Sequence, residues 1–173
     1  EPIEHRIEIL STTPGLSPAV QRDPAEIQSI VINDSKSTNP LASAVALTAV
    51  QERYNDRSII LILGGLMKQG SWKPLTDQLA QPEVRAAITC LVIFGPDRGQ
   101  IRLNLGLEDT NGAAADLADR TELFPKIDPA IERALALQSA ANRAKKPVVL
   151  FSPGCASFDE FSDYTARGRH FKN

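Results

Sequence analysis

Three short apolar runs, each ended by a turn that contains glycine, constrain the fold more than any other feature of this sequence. The runs cover residues 58–63, 87–94 and 148–151, and the turns that follow them are Gly64-Gly65, Gly95-Pro96 and Ser152-Pro153-Gly154. Unbroken apolar and β-branched residues over about four to eight positions are typical of parallel strands buried on both faces. The runs therefore predict a sheet that is covered by helices on each side.

Helical patterns separate these strands. The spacing of apolar residues predicts helices over 40–54, 74–80, 99–107 and 127–143, and shorter strands over 7–10, 27–33 and 121–124. Asn39 suits the N-cap of the first helix, and Pro40 suits its first position. We expect that helix to bury Leu41, Ala44, Val45, Thr48 and Ala49, and the helix over 127–143 to bury Ile131, Ala134, Leu135 and Leu137.

The alternation of strands and helices predicts one domain over residues 1–173. Its fold class is α/β, with an open, mostly parallel, Rossmann-like sheet and helices on both faces. The proline-rich residues 11–26 are interpreted as a surface loop. Ligands of such sheets bind outside the carboxyl ends of the strands. Three polar loops are expected at that edge, over 34–39, 64–70 and 152–157.

Composition excludes several classes of function. A net charge of -2 gives no reason to expect nucleic acid or an anionic membrane as a partner. No apolar run approaches the ~18 residues that span a bilayer. Two histidines and two cysteines without metal-ligand spacing argue against a zinc site, and the absence of a disulfide framework favours a reducing compartment. Because the chain begins without methionine, we expect a fragment or a processed product.

The third polar loop has the clearest local chemistry. Ser157 and Glu160 have the spacing of a capping box, which predicts a helix over 158–169 that begins at this loop. The free N–H groups and the dipole of a helix N-terminus bind anions. Cys155 lies in the same loop, but neither histidine has a signature spacing to it, so we interpret it as a packing residue rather than a nucleophile.

The other two loops offer cations and hydroxyl groups. Lys36 suits a phosphate or a carboxylate, and Asp34 could accept from a ribose hydroxyl or an ammonium group. Gly64-Gly65, before Lys68, would let the backbone approach a ligand closely. On residue types alone, a solvated N-cap turn and a surface lysine explain these loops as well, and His5-Arg6 reads as an exposed polar pair. The P-loop motif G-x-x-x-x-G-K-[ST] does not occur in the chain.

Taken together and in this order, these segments resemble the C-terminal domain of the Mur ligases, and most closely the family member that adds D-glutamate in peptidoglycan synthesis. The resemblance rests on His5-Arg6-Ile7-Glu8, Asn33-Asp34-Ser35-Lys36-Ser37-Thr38-Asn39, Gly64-Gly65 with Lys68, and residues 152–161 with Arg167-Gly168 and Phe171. It implies a cytoplasmic, ATP-dependent, amide-forming ligase whose N-terminal UDP-binding and central ATPase domains are absent from this chain. The isolated domain would be inactive.

The resemblance also implies roles for individual residues. D-glutamate would be held by Thr38, Lys68, Ser157, Phe158 and Tyr164, and the nucleotide by His5, Arg6, Asp34 and Lys36. The central domain would bind most of ATP and Mg²⁺, and UDP-N-acetylmuramoyl-L-alanine would be the acceptor. No catalytic residue and no metal ligand is expected in this domain alone.

The sequence departs from the family pattern at a few positions. Leu66 and Met67 stand where the family carries an acidic residue after Gly-Gly, and Tyr164 stands where phenylalanine is usual. Two alternatives therefore stay open. One is a non-catalytic binding module on the same fold, and the other is the C-terminal domain of a related ligase, such as folylpolyglutamate synthase or a Mur ligase for another amino acid.

Overall fold

A computed structural model describes residues 4–11, 29–109, 112, 115–141 and 146–173. Its strands are β1 (Glu8–Ser11), β2 (Ile30–Asn33), β3 (Ile59–Gly64), β4 (Ile88–Phe94), β5 (Thr121–Phe124) and β6 (Val148–Gly154). They form one sheet in the order β1-β2-β6-β3-β4-β5, in which only the β1–β2 pair is antiparallel. The predicted open, mostly parallel sheet is confirmed.

The helices are α1 (Pro40–Arg53), α2 (Lys73–Leu79), α3 (Pro82–Ala87), α4 (Arg98–Asn104), α5 (Ala115–Ala118), α6 (Ile127–Ala140) and α7 (Tyr164–Lys172). Asn39 caps α1 as predicted, because its side chain accepts a hydrogen bond from the Ala42 amide at 2.9 Å. Helix α3 was not predicted, and it begins at Pro82, where a fixed φ favours the first helical position.

The core has two halves, one on each face of the sheet. Alternate residues of β3 serve different halves: Leu61 packs with Leu47 and Leu75, whereas Ile62 packs with the half that contains Phe151. This division explains why the sequence of β3 is apolar at every position, since neither face of the sheet meets water. None of the helices in the described part of the chain has the length and apolar content needed to cross a bilayer.

The predicted buried face of α1 is wrong in part. Leu41 and Val45 are 59% and 57% exposed, and the helix instead buries Ser43, Ala44, Ala46, Leu47 and Val50. The reason is the close approach of α1 to the end of β6. The Ser43 hydroxyl donates to the carbonyl of Ser152 at 2.9 Å, so the face of α1 that contains Ser43 is turned toward the sheet, and Leu41 and Val45 lie on the solvent side.

The buried face of α6 also differs from the prediction. Ala134 is buried as expected, but Leu135 is 37% exposed, and Gln138 is buried in its place. The Gln138 amide donates to the carbonyls of Ile30 and Pro147, which satisfies it inside the core. Residues 142–143 of the predicted helix, and residues 12–28 with most of the predicted loop and the start of the second predicted strand, lie outside the described residues.

The predicted start of the last helix is wrong. Helix α7 begins at Tyr164, and its cap is Asp163, whose side chain accepts from the Ala166 amide at 2.7 Å. Ser157 only starts a turn, in which its carbonyl accepts from the Glu160 and Phe161 amides. The Glu160 carboxylate caps a different helix, because it accepts from the amide of Ile127 at the start of α6. The capping box and its anion site are therefore absent.

Candidate functional site

The three predicted loops meet at the carboxyl edge of the sheet, because β6 lies between β2 and β3. The loop after β2 is joined to the end of β6 by a hydrogen bond from the Gly154 amide to the Ser37 carbonyl, at 2.9 Å. The loop after β3 is joined to the segment after β6 by two backbone hydrogen bonds between Leu66 and Ala156, at 3.0 and 2.9 Å. Backbone hydrogen bonds thus join all three loops.

The side chain of Arg167 also links the loop after β2 to the segment after β6. Its side chain is fully buried, with Nε 3.0 Å from Ser35 Oγ and Nη2 2.9 Å from the Ser35 carbonyl. Nη1 lies 3.1 Å from both the Cys155 and Ala156 carbonyls, so one guanidinium joins two loops. Burial lowers the pKa of Arg167 to about 10. A sequence signal for this role is the i, i+4 spacing of Arg167 and Phe171, which places the arginine on the buried face of α7.

The side chain of Asp34 forms a second link between the loop after β2 and the end of β6. The carboxylate is 2% exposed and accepts from Ser37 Oγ at 2.5 Å, Ser152 Oγ at 2.7 Å and the Ile7 amide at 3.2 Å. Burial raises the pKa of Asp34, and the hydrogen bonds from the two serines act in the opposite direction. Its carboxylate therefore supports the loop structure in addition to any contact with a ligand.

Arg6, Asp34 and Lys36 line one cavity of about 340 Å³, which we call the first depression. Its remaining wall includes the exposed apolar side chains of Leu41 and Val45. Two cations beside an apolar wall can hold the phosphates and the base of a nucleotide. The predicted nucleotide residues thus come together with one exception: the ring of His5 is 1% exposed, lies under Gly168, and does not line this depression.

Thr38 and Lys68 line a neighbouring cavity of about 320 Å³, the second depression, together with Trp72 and Gly154. A hydroxyl group and an ammonium group suit a carboxylate ligand. The two depressions share Asn39 and Leu41 in their walls, so a ligand in one would lie next to a ligand in the other.

The other three residues predicted to hold an amino acid do not line the second depression. Ser157 is 2% exposed, Phe158 is 65% exposed, and the ring of Tyr164 lies under the ammonium of Lys36, 6.0 Å from it. The structure therefore brings together two of the five predicted residues.

The structure also reveals two carboxylates that sequence reasoning missed. Asp97 Oδ2 accepts from the Met67 amide at 2.7 Å, so an acidic residue contacts the loop after Gly64-Gly65 from the next strand end. Asp159 Oδ2 is buried without a hydrogen-bond partner, and burial raises the pKa of this carboxyl. The signal for Asp97 was its place directly after Gly95-Pro96, at the end of a predicted strand.

Both cysteines are free and buried. Burial raises the pKa of Cys90 to about 11 and that of Cys155 to about 12, which keeps both thiols protonated and unreactive at neutral pH. Packing is therefore the role of Cys155. Among the described residues, no group of three or more histidine, cysteine, aspartate or glutamate side chains is placed to hold a metal ion.

Comparison with known families identifies the chain. The family model for the glutamate ligase domain of the Mur ligases matches residues 22–155. This chain belongs to the Mur ligase family. In this Mur ligase domain, both depressions lie at the carboxyl edge of the sheet.

Curated relatives agree with this assignment. The chain is 41% identical over 140 residues to a UDP-N-acetylmuramoylalanine--D-glutamate ligase of Syntrophus aciditrophicus, a match that covers 81% of this chain and 25% of the relative. It is 31% identical over 170 residues to a UDP-N-acetylmuramoyl-L-alanine--L-glutamate ligase of Xanthomonas euvesicatoria, covering 98% of this chain and 30% of the relative. The chain thus spans about a quarter to a third of the length of these relatives.

Solved structures share the fold at low sequence identity. MurF from Acinetobacter baumannii aligns with a TM-score of 0.57 at 14% identity, covering 100% of this chain and 32% of that protein. A folylpolyglutamate synthase from Thermotoga maritima aligns with a TM-score of 0.51 at 11% identity, covering 98% and 30%. These similarities concern the fold alone.

Proposed function

We propose that this Mur ligase domain holds glutamate and closes over ATP in a cytoplasmic ligase that joins glutamate to UDP-N-acetylmuramoyl-L-alanine in peptidoglycan synthesis. The UDP-binding and ATPase domains would be supplied by regions outside this chain. The observation that carries the proposal is the pairing of Thr38 and Lys68 in a depression adjacent to the one that contains Arg6 and Lys36.

The chemistry of the two depressions supports this reading. Lys68 and Thr38 would bind a carboxylate of glutamate, while Arg6 and Lys36 would bind nucleotide phosphates. ATP, when bound with Mg²⁺, supplies the phosphoryl group that activates the acceptor carboxylate. The described residues fit the phosphates but offer no acidic cluster for Mg²⁺, so we assign the metal to the ATPase domain. The role of this chain is then to orient an amine against an activated carboxylate, an entropic contribution that domain closure can provide.

The stereochemistry of the glutamate has two candidates. Relatives from Syntrophus aciditrophicus and Prochlorococcus marinus are D-glutamate ligases, at 41% and 32% identity. The Xanthomonas euvesicatoria relative is an L-glutamate ligase that matches nearly the whole chain. We propose D-glutamate and keep L-glutamate as the second candidate.

A chimaera tests the proposal. In the Syntrophus aciditrophicus ligase, the matching C-terminal region is replaced by this chain, and ATP-dependent formation of the glutamyl amide is followed with D-glutamate and L-glutamate in parallel. Activity with D-glutamate is expected. Activity with L-glutamate alone would select the second candidate. A folded chimaera that binds ATP but uses neither enantiomer would favour a non-catalytic module or a ligase for another amino acid.

A further inference from the structure

The end of α7 holds the segment that precedes β1. The ring of His5 is packed under Gly168 so closely that a Cβ on Gly168 would lie 2.4 Å from His5 Nδ1. Lys172 Nζ donates to Glu8 Oε1 at 2.6 Å and to Glu4 Oε1 at 3.1 Å. One helix end therefore contacts the chain on both sides of Arg6.

The hydrogen bonds around His5 define its neutral tautomer. The Asn33 amide is oriented by two contacts, since Oδ1 accepts from the Ser35 amide at 3.2 Å and Nδ2 donates to the Gly168 carbonyl at 3.0 Å. The second hydrogen of Nδ2 then has two possible acceptors, His5 Nδ1 at 3.0 Å and Glu8 Oε2 at 3.5 Å. Nδ1 is the nearer of the two, and as an acceptor it leaves the proton of the neutral ring on Nε2. A protonated ring would set two N–H groups against each other.

Charged groups from two elements face this ring. Glu4, on the segment, lies 3.5 Å from Nε2, and Glu8, the first residue of β1, lies 3.6 Å from Nδ1; both favour protonation. On α7, Lys172 and Arg169 oppose it, and β2 contributes only the neutral amide of Asn33. Burial is the largest influence, and it lowers the pKa of His5.

The backbone on either side of Arg6 is strained and tied to the first depression. His5 and Ile7 have φ values of 61° and 46°, a left-handed region that a β-branched residue rarely adopts. The His5 carbonyl accepts from the Lys36 amide at 3.0 Å, and the Ile7 amide donates to Asp34. Such a conformation persists only where its surroundings hold it in place.

We propose that His5, Gly168 and Lys172 form a latch that holds Arg6 over the first depression while His5 is neutral, and that protonation of His5 opens it. These three are positioning residues, because they act through Arg6 and do not reach the depression themselves. The latch stands independently of the ligand, and only its effect on ATP rests on the proposed function.

The first experiment measures hydrogen-exchange protection factors by NMR in the 173-residue chain. Gly168→Ala is expected to lower protection of the Ile7 and Lys36 amides by about tenfold or more. Gly99→Ala is the matched control, since Gly99 is also helical and a Cβ there meets nothing within 4 Å. Adding Gly168→Ala to His5→Gly should change nothing further, because the ring that clashes is gone. Equal protection in Gly168→Ala and Gly99→Ala would overturn the proposal.

The second experiment tests the pH response of the latch. The pH is lowered from neutral to about one unit below the ordinary histidine pKa of about 6.5. Protection of the Ile7 and Lys36 amides should then fall by about tenfold more than that of the β3 amides. An unchanged ratio, or an Nδ1–H tautomer at neutral pH in ¹⁵N spectra, would refute the switch.

ATP affinity then distinguishes positioning from general damage. In the chimaeric ligase, Arg6→Ala and Gly168→Ala should each weaken ATP binding by about tenfold, and the double variant should be no worse than either. Additive losses would contradict a positioning role. If Arg6→Ala leaves the ATP affinity of the chimaeric ligase unchanged, the nucleotide part of the proposed function fails, while the protection factors still decide whether the latch exists.

Discussion

Replacing Arg167 by methionine should destabilise the domain far more than removing a surface arginine. The guanidinium makes four hydrogen bonds, and two of its acceptors keep a second contact without it. Ser35 Oγ still donates to the Tyr164 carbonyl, and the Ala156 carbonyl still accepts from the Leu66 amide. In the described part of the chain, the carbonyls of Ser35 and Cys155 depend on Arg167.

The magnitude follows from those two carbonyls. Each buried acceptor without a partner costs about 1–3 kcal/mol, or about 2–6 kcal/mol for the pair. Removing a buried charge that has no bonded carboxylate partner offsets part of this loss. We expect the free energy of unfolding to fall by about 2–4 kcal/mol, which corresponds to roughly 5–15 °C in Tm for a domain of this size.

Urea unfolding followed by the fluorescence of Trp72 measures this change, because Trp72 is the single tryptophan and is buried. Arg133→Met is the matched control. Arg133 forms an ion pair with Glu122 at 2.8 Å on the surface, so its loss should change the free energy of unfolding little. Arg167→Lys should recover less than half of the loss, since a single ammonium cannot span two loops. If Arg167→Met and Arg133→Met unfold at the same urea concentration, the account of the loop edge is wrong.

Three further predictions concern the same edge and the helix after it. Gly65→Ala should lower the free energy of unfolding by at least about 3 kcal/mol, because φ is 112° and a Cβ would lie 2.4 Å from the Ala156 carbonyl oxygen. Gly106→Ala is the control and should cost about 1–2 kcal/mol, since φ is 71° but a Cβ there meets nothing within 4 Å. Equal urea midpoints for the two variants would refute this prediction. Asp163→Ala should cost about 1 kcal/mol and Asp163→Asn much less, as measured by urea unfolding, and equal losses would contradict Asp163 as the cap of α7. Burial raises the pKa of Asp34 from its ordinary 3.8, so the folded state binds this proton more tightly than the unfolded state does. The unfolding free energy of the domain, relative to that of Asp34→Asn, should therefore fall as the pH rises from about 3.8 through the raised pKa. A difference between the two proteins that does not change with pH would argue against this.

The sheet was predictable because local sequence determines it. The runs that form β3, β4 and the first part of β6 are almost entirely apolar, each leads into a turn that contains glycine, and such runs are typical of strands buried on both faces. The strand order was not predictable from these runs. In that order, β6 is the last strand in sequence but lies between β2 and β3, which brings Gly154 beside Ser37.

The start of α7 was mispredicted because capping signals compete. Ser157 and Glu160 have the correct spacing, but Glu160 contacts a free amide of α6 that is distant in sequence. Asp163 then caps α7 six residues later than Ser157. A capping box identified by spacing alone carries no information on which helix the glutamate will meet.

The candidate site also combines residues that the sequence indicates with residues that it does not. The resemblance to the Mur ligases implied glutamate-binding roles for Thr38 and Lys68, which both follow predicted strands and line the second depression. Arg167 and Asp97 act across the fold, on loops that are more than ten residues away or follow another strand. Their contacts depend on packing geometry that no local pattern contains.

The KM for glutamate in the chimaeric ligase tests the central claim most directly. Lys68→Ala should raise this KM about 10- to 100-fold, the effect of losing one charge-assisted hydrogen bond to a carboxylate. Lys73→Ala is the control, because Lys73 is exposed and paired with Asp77, and it should leave the KM unchanged. A glutamate KM that is the same in Lys68→Ala as in the unaltered chimaera would show that the second depression does not hold the amino acid.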